Sequence, residues 1–283
     1  MESERLQTRL GPLAWRSSGG GPPIVFFAGA FANGDLWRDV VAALEDRYRC
    51  ITIDLPLGSH PWPLVPGADR SATSLARLQL DCLELLDLHD VTVVANDTAG
   101  GLLLLSLASS HPALTRVGRL VLTNCENYDQ FPPDKLKKAA ALCRTLPGLA
   151  RSLIRLQLRS PGARRRLTAS VTVNGLDDDR AVSFFGPPSR DPQIVGDLVA
   201  AQGSFRPELF LDAASQIPRF DRPVLLIWGD SCTFFPIDGA RRLESEFPHA
   251  TLVQVPAAGT WVMVDNPAAV ADAIVKFVPT PVP

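Results

Sequence analysis

The stretch with the clearest chemical potential is residues 91–101, VTVVANDTAGG, where a β-branched run passes directly into small residues and then into the apolar stretch 102–107. A strand that turns this sharply into a helix leaves no room for side chains two residues before and two residues after the tip of the bend. Centring the bend on Asp97 places Ala95 and Ala99 at those positions with Gly100 behind them, whereas centring it on Thr98 places Asn96 there. Asp97 is therefore the residue displayed at the tip. A carboxylate so placed can attack an electrophilic carbon or move a proton; the bland alternative is a simple helix cap. The helix dipole favours its ionised form and burial against substrate favours the protonated one, and both possibilities stay open. Backbone N–H groups of Thr98 and of Ala30, in the loop after the first core strand, are the matching oxyanion donors.

The elements that must hold this bend alternate along the chain. Short apolar or β-branched runs at 24–27, 50–53, 91–94, 119–122, 224–228 and 251–255 are separated by amphipathic spacers. The spacers at 35–46, 71–88 and 267–277 read as helices, the last with Pro267 at its start. This order predicts an α/β fold with a mostly parallel sheet and helices on both faces. About a hundred residues between Leu122 and Pro223 break the alternation with Pro132-Pro133, Pro147-Gly148, Pro161-Gly162 and Pro187-Pro188 among helical patterns such as Leu149, Leu153 and Leu156. They predict an inserted helical cap at 126–216, with the sheet domain formed by 1–125 and 217–283. Arg164 to Arg166, answered by Asp177 to Asp179, read as a solvated face. The tail VPTPVP reads as a frayed end.

Composition narrows the partners. Twenty-eight Lys and Arg against 30 Asp and Glu give a formal net charge of −2, which points to neither nucleic acid nor an acidic membrane. The expected ligand is a small organic molecule. Cys50, Cys82, Cys125, Cys143 and Cys232 lack the paired spacing of a zinc site or disulfide framework, and no cofactor or metal is expected. The first 16 residues have no apolar core of a signal peptide. The run 102–105 falls far short of the ~20 residues of a membrane span. The expectation is a soluble, cytoplasmic monomer or homodimer.

With these residues in view, the chain resembles the α/β-hydrolase superfamily over essentially its whole length. The resemblance is carried by IVFFAG at 24–29 with Leu36-Trp37, by Asp54-Leu-Pro56, by the bend at Asp97, and by VLLIWG at 224–229. An aspartate at the elbow resembles haloalkane dehalogenases and epoxide hydrolases, in which the carboxylate forms an ester. More narrowly, DLPLGSH at 54–60, Asn96-Asp97-Thr98 and LTNC at 122–125 look like a group of bacterial members with no settled reaction.

The pattern also departs from the superfamily. Thr260 stands where the resemblance implies the histidine, and Cys232 where it implies the acid, with Asp230 nearby. Thr98 follows the elbow where a dehalogenase carries a halide-holding tryptophan. Two substitutes are candidates: Glu126, after the strand ending at Cys125, and His60, in the loop after the Asp54 strand; each also has a purely structural reading. His89, at a helix end, His111, before Pro112, and His249, in a surface turn, read as bland. Phe31, Trp37 and Trp261 are expected to line an apolar pocket, with Cys232 and Thr260 at its edge and Phe234 and Phe235 as further candidates. The first reading is an enzyme acting on a small aromatic or polycyclic molecule, with Asp97 as general acid/base for cyclisation, elimination, isomerisation or epoxide opening. The second is a true hydrolase with an Asp97 nucleophile and water activated by His60 or Glu126. The third is an inactive fold that binds a ligand or partner.

Overall fold

The computed structural model describes residues 3–279. Eight strands, β1 (Glu4–Thr8), β2 (Gly11–Ser18), β3 (Pro23–Phe27), β4 (Arg49–Ile53), β5 (Val91–Asn96), β6 (Val117–Cys125), β7 (Val224–Gly229) and β8 (Ala250–Val255), form one sheet in the order β1-β2-β4-β3-β5-β6-β7-β8. β1 and β2 pair antiparallel at one edge, and from β4 onward every pairing is parallel. The six expected strands are present. β1 and β2 are additional, their polar alternation being too weak to read as strands.

The parallel strands are buried on both faces, which is why they are continuous apolar runs. Their side chains divide with a period of two. Val25, Phe27, Val93, Leu120, Leu122 and Leu226 enter one core, and Ile24, Phe26, Val94, Val121, Leu225 and Ile227 enter the other. The first core is closed by α-helices that follow β4, β5 and β7, and the second by those that follow β3 and end the chain. In chain order the helices before the insertion are α1 (Arg38–Leu44), α2 (Ala72–Leu85) and α3 (Asp97–Ser106). Six more lie between β6 and β7: α4 (Lys137–Thr145), α5 (Pro147–Arg159), α6 (Pro161–Ala169), α7 (Asp178–Arg190), α8 (Pro192–Ser204) and α9 (Pro207–Ala214). α10 (Ile237–Glu246), α11 (Val262–Asp265) and α12 (Pro267–Phe277) complete the fold. The helix expected at 35–46 is split into a 3-10 turn, Gly34–Trp37, and α1. α2 stops at Leu85, so His89 lies in the turn beyond it, bonded to Asp87. At the chain end, the Val278 carbonyl accepts from the Tyr48 hydroxyl, and the remainder of the expected frayed tail, from residue 280, lies outside the described residues.

The inserted helices are pinned to the sheet domain by buried polar contacts. Asp197 on α8 accepts from His60 Nε2 at 3.1 Å, from the Leu64 N–H at 2.9 Å and from Arg70 Nε at 2.5 Å. Burial pushes its carboxyl up, but the bonds from His60, Leu64 and Arg70 outweigh burial and hold it below the ordinary value. Arg180 on α7 reaches Asp39 and the Asp35 carbonyl, and Ser183 bonds Asn33 and Asp35. Asp177 pairs with Arg38 and Arg180, so it does not answer Arg164 to Arg166 as the sequence suggested. Replacing Asp197 by Ala leaves Arg70 and His60 without their acceptor, and an unfolding free-energy loss of roughly 3 kcal/mol is expected in urea denaturation near neutral pH. The Asp197 contribution is present above the unfolded carboxyl pKa of about 4 and disappears as the pH falls through the lower folded value. A variant as stable as the parent contradicts this assignment.

Candidate active site

The bend has the predicted geometry and a backbone conformation that proves it. Asp97 is the first residue of α3 with φ of +52°, a left-handed conformation that costs a non-glycine residue roughly 1–3 kcal/mol. Its surroundings enforce it. A Cβ on Gly29 would lie 2.5 Å from the Asp97 Cβ, and one on Gly100 would lie 2.4 Å from the Cys125 Cβ, so only glycine lets the β3 loop and the end of β6 close around the tip. Asn96, the preceding residue, makes no helix-capping bond. Its amide instead donates to the Thr123 carbonyl, the Thr123 hydroxyl and the Thr260 carbonyl at 2.9–3.0 Å, tying β5 to β6 and to the loop after β8.

The carboxylate sits on its own oxyanion donors. Asp97 Oδ2 accepts from the Ala30 N–H at 3.2 Å, and the Thr98 N–H also bonds the carboxyl. Phe31, at φ of +59°, turns the β3 loop so that Ala30 N–H faces this oxygen. The donors expected to serve a substrate oxyanion are thus engaged by Asp97 itself. Oδ1 has no hydrogen-bond partner among the described residues, and Asp97 lines a cavity of about 210 Å³.

Glu126 joins it. Buried to 2 % exposure, it sits beside Asp97, with Oε1 2.9 Å from the Thr98 hydroxyl and Oε2 without a partner. Burial first, then the neighbouring Asp97 charge, raises the Glu126 carboxyl well above the ordinary range. Burial also pushes Asp97 up to about 7, against the lowering effect of the Ala30 and Thr98 N–H groups. No Lys, Arg or His is among the described residues lining the cavity. Both carboxyls therefore hold their protons to a higher pH than ordinary carboxylates do.

The other expected site residues divide. Phe31, Trp261 and Phe234 line the cavity together with Asp97, Thr98 and Glu126. Trp261 packs edge-on against Phe184 of α7 at 5.5 Å, and its buried Nε1 has no partner. Trp37 does not reach the cavity; it is core, tilted on Phe26 at 5.2 Å. Phe235 is likewise packed in the core, and its carbonyl accepts from Trp228 Nε1. His60 is turned away onto Asp197 and the Gly58 N–H, so no imidazole stands near Asp97. His111 bonds Asp81 and His249 bonds Asp221. Thr260 and Cys232 are not among the lining residues; they contact each other, Oγ1 to Sγ, at 3.2 Å. A neutral threonine–cysteine pair thus fills the space where a histidine–acid pair was implied. Asp230 accepts from the Ala257 N–H in a turn. No cluster of three metal-ligating side chains occurs among the described residues.

The sequence reading missed the roof. Leu136, Ala140, Ile154, Gln157, Leu167 and Gln202 descend from the inserted helices onto the cavity. Their only sequence signal is helical periodicity, which does not say which side faces inward. A larger groove of about 480 Å³ lies on the outside of the α6 end and shares only Ser170 and Val171 with this cavity.

The family described as alpha/beta hydrolase fold matches residues 22–267. "Uncharacterized hydrolase YugF" of Bacillus subtilis is 25% identical over 265 residues, covering 89% of this chain and 87% of its own. "Haloalkane dehalogenase 2" of Mycobacterium tuberculosis is 27% identical over 285 residues, covering 97% and 94%. A crystal structure of an alpha/beta hydrolase fold protein from Burkholderia ambifaria superposes with a TM-score of 0.79 at 22% identity, over 96% of this chain and 97% of that one.

A carboxyl raised to about 7 in the folded state stabilises the fold when protonated and loses that advantage as pH rises from about 4 through 7. Asp97→Asn is therefore expected to be more stable than the parent at pH 8, by on the order of 2–4 kcal/mol, and to differ little at pH 4. Urea denaturation at the two pH values measures this, and a variant destabilised at pH 8 contradicts the raised value.

Proposed function

The chain belongs to the α/β-hydrolase-fold family, and from that premise we propose that it is an enzyme catalysing proton transfer on a neutral, largely apolar substrate of one or two rings. The observation that carries this reading is the carboxyl pair, half-buried Asp97 and buried Glu126, in a cavity with no imidazole among its described lining residues. A triad hydrolase needs a base to activate the water that releases its ester. Here the neighbouring group is a second acid, and two carboxyls with separated proton affinities are suited to general acid/base work.

Asp97 Oδ1, unbonded and facing the cavity, is the base. Oδ2 is anchored on the Ala30 N–H, which fixes the direction of proton abstraction. Glu126 supplies the acid through Thr98. When Glu126 is protonated on Oε1, it donates across the 2.9 Å contact to the Thr98 hydroxyl, which is then free to donate into the cavity. A carbon-bound proton passes to Asp97 while Thr98 delivers one to a substrate oxygen and is refilled by Glu126. Isomerisation and elimination use this exchange directly, and in cyclisation or epoxide opening Asp97 takes the proton of the substrate's attacking group while Thr98 protonates the receiving oxygen. Because the backbone donors are occupied by Asp97, the indole N–H of Trp261, which has no partner, is a further donor for a substrate oxygen beside the Thr98 hydroxyl.

Size and charge limit the substrate. Roughly 150 Å³ accommodates a benzene ring, so about 210 Å³ suits one or two rings and narrows the earlier polycyclic expectation. An anionic substrate would meet two carboxyls and no cation.

A second reading is supported by the same anchored geometry and by the likeness to a haloalkane dehalogenase. In it, Oδ1 attacks carbon, the leaving group departs, and the ester persists for want of a base. Intact mass after exposure to alkyl halides and epoxides separates the two, since a stable adduct on Asp97 supports the second reading.

Under the first reading, kcat/KM rises with pH as Asp97 ionises, with an apparent pKa of about 7. Asp97→Asn is expected to lose about 10³-fold or more in turnover. A pH profile flat from 5 to 9, or full activity in that variant, overturns the reading. Trp261→Phe removes an unpartnered N–H and is expected to cost about tenfold in kcat/KM with no loss of stability. An active variant with unchanged kcat/KM removes Trp261 from the mechanism.

A further inference from the structure

The charge of this chain is segregated in a way its near-neutral total conceals. Between residues 135 and 176 there are ten Lys and Arg and no Asp or Glu, so the rest of the chain carries 18 basic against 30 acidic residues. This segment is α4, α5 and α6, the helices that roof the cavity. Arg159 on α5 and Arg165 and Arg166 on α6 are exposed, and none forms an ion pair among the described residues.

The same helices expose a row of leucines. Leu149, Leu153 and Leu156 are spaced four and three residues apart and so share one side of α5, with exposures of 48%, 48% and 66%. Leu146, just before the helix, extends the row at 55% exposure. The opposite demand of the fold is met elsewhere on α5, by buried Ala150 and Leu158 and by Ile154 against the cavity. Nothing in folding requires leucines on the outer side. Such a contiguous apolar row on a monomer's surface marks an interaction site.

We propose that α4 to α6 form a docking face for an anionic lipid bilayer surface, with the leucine row entering the headgroup boundary and the arginines holding acidic headgroups. This goes beyond the proposed chemistry and does not depend on it. An apolar stripe flanked by Arg and Lys on a helix is the pattern of a helix lying in a membrane interface. A nucleic acid would be met by the charges but leaves the leucines unused. The expectation of no membrane partner rested on total charge, and the absence of any helix long and apolar enough to cross a membrane among the described residues concerns spanning and not docking. Since these helices also line the cavity, docking would place its roof at the bilayer, where an apolar substrate of the proposed kind partitions.

The test is sedimentation of the full chain with vesicles of phosphatidylcholine alone and of phosphatidylcholine mixed with phosphatidylglycerol. Binding to the mixed vesicles at least about tenfold tighter than to the neutral ones, and weakened by salt, is expected. The L149Q/L153Q/L156Q variant should lose about tenfold in that binding, and R159Q/R165Q/R166Q should lose the preference for anionic vesicles. All six positions are exposed, and circular dichroism confirms each variant is folded. Asp97→Asn should bind vesicles as the parent does, which keeps a failure of the chemistry distinct from a failure of docking. No binding to either vesicle overturns the proposal, as does unaltered binding by the leucine variant. Retention on heparin without vesicle binding overturns it in favour of a polyanion site. A dimer that the leucine variant disperses, again without vesicle binding, overturns it in favour of a second copy of this chain.

Discussion

Two adjacent carboxyl groups, one half-buried and one buried, with no cation among the described residues lining the cavity they share, set the terms for the rest of this molecule. Burial alone raises both, and the charge of Asp97 raises Glu126 further. Ionising either is costly there, so the fold must hold them in place by other means. It does so with backbone. The Ala30 N–H fixes one Asp97 oxygen, a hydroxyl fixes one Glu126 oxygen, and glycines at 29 and 100 let three chain segments meet at the bend. The positive φ of Asp97 and the raised proton affinities are both stored instabilities, and strain of this kind is retained where function needs it. Asn96 supplies the counterweight, a fully buried amide bonded to three acceptors on two neighbouring segments.

The remaining space around the pair is made neutral. Thr260 and Cys232 contact each other where an imidazole and its acid would fit, and the five cysteines are all unpaired. No Lys, Arg or His is among the described residues lining the cavity, which preserves the raised proton affinity that a histidine or arginine would cancel. The inserted helices complete the enclosure. They are fastened at a distance from the chemistry, through Asp197 with His60 and Arg70 and through Arg180 and Ser183, so the roof is rigidly referenced to the sheet while its inner surface stays largely apolar. Fastening and catalysis thus use separate polar groups.

The strand pattern and the bend were legible because steric demands act over few residues. A fully buried parallel strand needs a continuous apolar run, and the elbow at Asp97 needs Ala95 and Ala99, so both leave local signatures. Glu126 could be named from its place after Cys125, though not its contact with Thr98. His60 sat in a plausible loop, but its partner Asp197 is 137 residues away, and no local rule predicts that pairing. Trp37 was a sound aromatic candidate whose fate was decided by Phe26 beneath it. The roof was least legible. Leu149, Leu153 and Leu156 correctly announce a helix, yet periodicity marks an apolar face without saying whether that face turns inward, and here it turns out. The N-terminal hairpin was missed because ERLQT and GPLAWRSS carry too few β-branched residues to stand out.

The proposed function depends on the protonation of two particular side chains, and carboxyl-selective carbon NMR titration of the unliganded protein observes it without any substrate. The Asp97 resonance is expected to titrate with an apparent pKa of about 7, and that of Glu126 well above the ordinary carboxyl range. Two carboxyls that both ionise in the ordinary range near pH 4 would show a wetter, charged site, and the proposed proton exchange between them would have to be abandoned.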